Sequence, residues 1–219
     1  MCWSAESSIA SLIVGTIVNA LCIVHLASLG SETLVPIAII VGWQYALLMQ
    51  IPDALAWVRK EYETSGRIAF SLNVTQPLVC FCLVYSVLAA KSVSMSNLLP
   101  AAIVGIVYIY YLLTNLRYLD MNIKPTQKCT SLQYRWWDGI GSWLYCILMI
   151  LTIMALPAKE YVWLTVGLFV ISLAIVLAST KSGCNPGSAW CLTTAAFGLV
   201  TYAFALINRH AASDYATSE

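Results

Sequence analysis

The sequence predicts an all-α fold, a polytopic membrane protein built as a bundle of seven transmembrane helices. Three observations carry that prediction. Of the 219 residues, 60% are hydrophobic and only 10% are charged, whereas about a quarter of a soluble domain is charged. The apolar residues gather into seven runs of the length a bilayer core of about 30 Å demands of a helix, roughly 20 residues each. The runs are also too long and too continuous for barrel strands, which would be short and alternating.

The runs are residues 7–29, 33–57, 67–90, 97–119, 138–157, 160–180 and 188–208, one transmembrane domain over 1–208 followed by a small polar tail, 209–219, expected to fray. The opening Met1-Cys2-Trp3-Ser4-Ala5-Glu6 lacks the basic segment and small-residue cleavage site of a secretory signal. The first run is therefore expected to be retained as a span. The second carries Gln44 and Gln50, with Pro52-Asp53 one turn before its end. The third holds Ser71-Leu72-Asn73-Val74-Thr75-Gln76-Pro77-Leu78, two carboxamides next to a proline that has no N–H for the Asn73 carbonyl four residues back. All connections are short except 120–137, where Lys124, Pro125, Lys128, Cys129, Arg135 and Trp136-Trp137 read as an interfacial cap entering the fifth span.

Seven spans put the termini on opposite sides. The N-terminal face would hold Arg59, Lys60, Arg67, Arg117, Lys124, Lys128, Arg135 and Lys181, the other face Lys91, Lys159 and Arg209. Eight against three favours a cytoplasmic N-terminus under the positive-inside rule. Four of the eight cysteines, Cys2, Cys129, Cys184 and Cys191, fall on the same face and pull the other way, because clustered loop cysteines are often disulfides of an oxidising compartment.

Polar residues are unevenly spread on this topology. Glu6, Gln50, Asp53, Asn73, Gln76, Asn115, Arg117, Asp120, Asp138 and Trp190 all lie toward the N-terminal face; the opposite half has His25, Glu32, Glu160 and His210 at its edge, with Asn19 and Gln44 deeper. Helical spacing aligns Trp43, Gln50, Asp53 and Trp57 on span two; Tyr108, Tyr111, Asn115 and Tyr118 on span four; Asp138, Ser142, Tyr145, Met149 and Thr152 on span five; and Trp190, Thr194, Phe197, Thr201 and Phe204 on span seven. Polar side chains at membrane depth are costly and turn into the bundle, so these stripes predict a polar pocket. The blander alternatives are interfacial anchoring for Glu6, Arg117, Asp120, Trp136 and Trp137, and interhelical hydrogen bonds for Asn73 and Gln76. Asp53 has Arg117 and Arg59 as candidate ion-pair partners.

Several chemistries are excluded. The net charge of +1 gives no basic face for nucleic acid. No lysine lies in a span core to hold retinal, so no cofactor is expected. His25 and His210 are too few and too far from the acids for a zinc hydrolase, and the loop cysteines lack CxxC pairing. The order Gln76-Pro77 and the absence of a repeated three-helix unit argue against proline-glutamine loop sugar carriers. The sequon Asn73-Val74-Thr75 is inside a span and Cys22, Cys80, Cys82 and Cys146 read as small apolar residues. Phosphate loops and nucleophile elbows are missing.

Several segments together resemble a family of seven-span proteins of unknown function from large DNA viruses of algae and protists and some of their hosts. They are Met1 to Glu6, Trp43-Gln44-Tyr45-Ala46-Leu47-Leu48-Met49-Gln50, Asn73 to Pro77, Lys124-Pro125 through Cys129, Trp136-Trp137-Asp138, and Cys184-Asn185-Pro186-Gly187-Ser188-Ala189-Trp190-Cys191. The resemblance covers nearly the whole chain and carries no activity. It implies that the N-terminal face is the working surface, with Glu6, Gln50, Asn73, Gln76, Pro77, Asp138, Trp190, Cys129, Cys184 and Cys191 as candidates without roles.

The leading functional expectation is a small-solute or ion transporter or channel-like protein, with a polar vestibule on the N-terminal face lined by Glu6, Gln50, Asp53, Asn73, Gln76, Asn115 and Asp138. The alternative is a receptor-like protein holding a lipid, sterol or other apolar ligand against an aromatic wall of Tyr108, Tyr111, Trp143, Trp190 and Phe197. An enzyme using the acid pair Glu6 and Asp138 comes third, for want of a metal or nucleophile. The bilayer is the expected partner, and disulfides are expected, if anywhere, among Cys2, Cys129, Cys184 and Cys191.

Overall fold

The computed structural model describes residues 5–90, 98–116, 126–128, 131–133, 140–156, 158–179 and 194–216. Among these the chain forms α1 (Ala5–Ser28), α2 (Leu34–Leu47), α3 (Gln50–Arg59), α4 (Tyr62–Ala90), α5 (Leu98–Leu116), α6 (Ile140–Met154), α7 (Lys159–Ser179) and α8 (Phe197–Ala216). A short 3-10 turn, Ser31–Thr33, precedes α2, and between α5 and α6 the described residues include two strands, β1 (Thr126–Lys128) antiparallel to β2 (Ser131–Gln133), with Thr126 opposite Gln133. Three lengths, Ala5–Ser28, Ser31–Arg59 and Tyr62–Ala90, are long and apolar enough to cross a membrane; Ala101–Leu116 and Ile140–Met154 are shorter apolar helices. These fit an integral membrane protein.

The turn from α1 to α2 is made at Gly30, whose φ of 106° is open to glycine and costly for other residues. Thr33 locks it, its hydroxyl donating to the carbonyls of Leu26 at 2.8 Å and Gly30 at 2.6 Å. The second span, expected as one rod, is broken into α2 and α3 at Leu48 and Met49. Both keep right-handed dihedrals, but the bonds tighten to three-residue steps: Leu48 to Tyr45, Met49 to Ala46 and Ile51 to Leu48, at 3.0–3.2 Å. Pro52 is the cause, since it has no N–H for the Leu48 carbonyl and its ring crowds that oxygen. Ser65 of α4 then donates to the Pro52 carbonyl at 2.6 Å, tying α3 to the start of α4.

Pro77 acts differently. α4 runs past it without interruption, and neighbours brace the kink: Thr75 donates to the Ser71 carbonyl at 2.6 Å while sharing a 2.6 Å hydrogen bond with the Tyr45 hydroxyl. The Tyr108 hydroxyl reaches the Val74 carbonyl at 3.2 Å, beside the Asn73 oxygen that the proline leaves without its helical donor. At the other end of the chain, α8 continues to Ala216, beyond the expected end of the last span at 208.

Several helices turn apolar rows outward while burying small and polar residues. On α1 the buried row is Ser8, Gly15, Asn19, Cys22 and Leu26, while Ile9, Ile13, Ile17, Leu21 and Val24 face outward. α5 and α6 repeat the pattern with Ile106, Ile109, Leu113, Ile147 and Met154 exposed and Asn115 and Thr152 buried. An apolar outer surface of this extent is unfavourable in water and natural against hydrocarbon, where the small and polar residues serve as the helix contacts. α2 is the hub, packing on α1, α4, α7 and α8. Two apolar clusters fill the interior, one about Phe70, Tyr111, Tyr145 and Phe169, the other about Leu26, Ile40, Trp43, Val84, Tyr161 and Phe197.

Candidate functional site

A cavity opens at the meeting of α2, α4, α6 and α7. Helical spacing brings its walls together: Ala38, Ile39, Gly42 and Trp43 from α2; Gln76, Cys80, Leu83 and Val84 from α4; Met149, Thr152, Ile153 and Leu156 from α6 and the residues just after it; and Thr165 from α7. The volume open to the centres of water molecules is about 50 Å³, enough for a few waters when one needs on the order of 10–15 Å³.

Most of this wall is hydrocarbon, and no lining residue carries a charge. Its polar residues are Gln76, Trp43, Thr152 and Thr165, each at most 6% exposed. The indole nitrogen of Trp43 and the hydroxyls of Thr152 and Thr165 have no hydrogen-bond partner among the described residues. A buried polar group left in that state costs about 1–3 kcal/mol; the three belong to residues that line the cavity, while the surface open to the cavity itself is almost wholly hydrocarbon. The indole is held in place by Phe197, which meets it edge-on at 4.9 Å between ring centroids.

The polar residues expected in a pocket are divided by the fold. Gln76 reaches the cavity, whereas Asn73 accepts from the Tyr111 hydroxyl at 3.1 Å and Asn115 donates to the Tyr111 carbonyl at 2.8 Å. The first of these bonds joins α4 to α5, and the second is internal to α5. Gln50 and Asp53 are fully buried, close to the Pro52–Ser65 link, and Glu6 is exposed at the start of α1. Arg59 lies 3.9 Å from Glu61; Arg117 is outside the described residues, as are Asp138, Trp190, Cys2, Cys129, Cys184 and Cys191. Of the expected aromatic wall, Tyr111 and Phe197 are buried in different clusters, Tyr108 packs beside Tyr111, and Trp143 points outward at 72% exposure. Cys22, Cys80, Cys82 and Cys146 are free thiols.

Two cavity residues carried little sequence signal. Thr165 is one of a few hydroxyls, with Tyr161, Ser172 and Ser179, in a largely apolar helix, and Cys80 read as filler; the available hint was its place one turn after Gln76. Trp43, Met149 and Thr152 did stand on the stripes read from the sequence.

A second and larger cavity, about 330 Å³, lies where α1 finishes, α2 and α7 begin and α8 passes through Ala205, Leu206, Asn208 and Arg209. Its polar lining is Glu32, Thr33, Glu160, Tyr161, Asn208 and Arg209. Arg209 donates to the Leu29 carbonyl at 3.1 Å, and neither glutamate is ion-paired among the described residues. Nearby, His25 Nδ1 and the Tyr202 hydroxyl share a 2.7 Å hydrogen bond. No family model, no curated protein and no solved structure matches the chain.

Proposed function

We propose that the chain is a seven-span integral membrane protein, transporter-like or channel-like, that passes a small solute through the cavity among α2, α4, α6 and α7. The observation that carries this reading is the interior space itself, lined by Trp43, Gln76, Thr152 and Thr165 amid hydrocarbon, with Trp43 Nε1, Thr152 Oγ1 and Thr165 Oγ1 unpartnered among the described residues. Seven crossings are supported by the way helices gather: the end of α1, the starts of α2 and α7 and Ala205 to Arg209 of α8 share one cavity, as an up-and-down order requires. The cytoplasmic N-terminus rests on the basic bias of its face. Kinship with the viral seven-span family rests on the sequence segments alone and adds no activity.

Among the described residues, the polar space of the two cavities is not on the N-terminal face. There Gln50, Asp53, Asn73 and Asn115 are buried in packed seams, so we place the path through Gln76 and toward the other end. The test is reconstitution of the purified protein in liposomes with a broad panel of ions and small solutes. Flux above that of empty vesicles, reduced by Gln76→Leu, is the expected result; no flux of any member overturns the reading.

The largely hydrocarbon wall of the cavity favours a second reading, in which it holds a lipid tail or another apolar ligand. Native mass spectrometry of gently purified protein would then show a retained mass that Gly42→Phe expels. An empty spectrum argues against it.

A further inference from the structure

Resting on that reading, we propose that the cavity where α2 and α7 begin is the vestibule through which a small, neutral, hydrogen-bonding solute reaches the central cavity. The two spaces lie in series along the same pair of helices. α2 offers Pro36 to the outer one and Ile39 to the inner; α7 offers Tyr161 to the outer and Thr165 to the inner. Separations of three and four residues are about one helical turn, roughly 5 Å of rise. Between them the partition is side chain: Ile39, Leu156, Tyr161 and Val162 belong to one packed cluster.

The two linings differ in the way that selects a neutral molecule. Glu32, Glu160 and Arg209 keep the outer space wet, and the carboxylates and the guanidinium are not within ion-pair distance of one another. One turn deeper every charge is gone and the wall is almost wholly hydrocarbon. An ion leaving the vestibule would lose its hydration with no countercharge to replace it. A small neutral solute gives up its water at a far lower cost.

The experiment is osmotic flux of water, urea and glycerol, beside sodium and chloride, in liposomes bearing the full chain, with Glu160→Cys or Glu32→Cys modified by a bulky, membrane-impermeant thiol reagent. Lys159→Cys, exposed but outside the lining, and the reagent on the unaltered protein are the controls. Neutral-solute flux that falls to the empty-vesicle level on modification at Glu160 or Glu32, and not in the controls, is expected. Flux that survives modification at both positions overturns the vestibule while leaving the central path standing. Sodium or chloride flux equal to that of urea overturns the neutral class. Absence of flux from the unaltered protein removes the underlying reading itself.

Discussion

Two interior regions use the same chemistry to opposite ends. In the seam of α1, α2 and α8, Asn19 donates to the Gln44 carboxamide oxygen at 2.8 Å and Gln44 passes a 2.9 Å bond on to Thr16. The Asn19 oxygen presses against Gly198, whose missing side chain is the space it occupies. Across α2, in the central cavity, Trp43, Thr152 and Thr165 are just as deeply buried, yet their polar atoms meet no protein partner. Hydrogen bonds hold the first region together, although the Asn19 oxygen is itself without a partner among the described residues; in the second, none of the three polar atoms has one. Neither depth nor a missing partner by itself identifies a site; the second region is set apart by the cavity its residues line.

Substitutions can break this contrast. The largest effect is expected from Gly198→Val, which drives a branched side chain into the Asn19 carboxamide. Overpacking of that kind costs about 3 kcal/mol or more, and folded yield and thermal stability in detergent should both fall. Gln44→Leu should cost less, about 1–2 kcal/mol, because it ends the relay and leaves Asn19 and Thr16 to find other partners. It should leave the flux of the surviving protein close to that of the unaltered chain.

The cavity should answer with the opposite sign. Thr152→Val together with Thr165→Val keeps the shape and removes two hydroxyls that bond to nothing, so thermal stability should hold or rise by about 1 kcal/mol while flux drops. A double variant that melts early would show that these hydroxyls are structural after all. Trp43→Phe retains an edge for Phe197 and loses the indole donor, for which a partial loss of flux is expected. The smallest effect belongs to Tyr108→Phe, which frees the Val74 carbonyl beside Pro77 and should cost about 0.5–1.5 kcal/mol; an unchanged melting temperature would remove Tyr108 from the bracing of α4.

The apolar helices were legible because hydropathy is additive along a chain and needs no partner. Pro77 and Pro52 were equally visible, but their outcomes differ for reasons that lie elsewhere. Pro77 has Thr75, Tyr45 and Tyr108 around it; Pro52 has Ser65 on its own carbonyl and nothing that restores the Leu48 bond in its helical form. Asn73 and Gln76, three residues apart, looked like one site, and the fold sends one to Tyr111 and the other to the cavity. The lopsided count of polar residues pointed to the N-terminal face, whereas the open polar space is at the other, around Glu32, Glu160 and Arg209. Counting weighs every polar residue alike, whereas among the described residues Asn73 is bonded to Tyr111 of α5, Asn115 to a carbonyl of its own helix, and Gln76 lines the central cavity.

By itself the sequence determined an apolar, helical chain fit for a membrane, with polar residues obliged to turn inward, because transfer free energy belongs to each residue and sums along a run. Only the tertiary structure decided which inward groups are consumed as contacts and which stand around an empty volume. A hydrogen bond needs two atoms within about 3 Å, and residues such as Trp43 and Thr165, far apart in the chain, come together only when the helices pack.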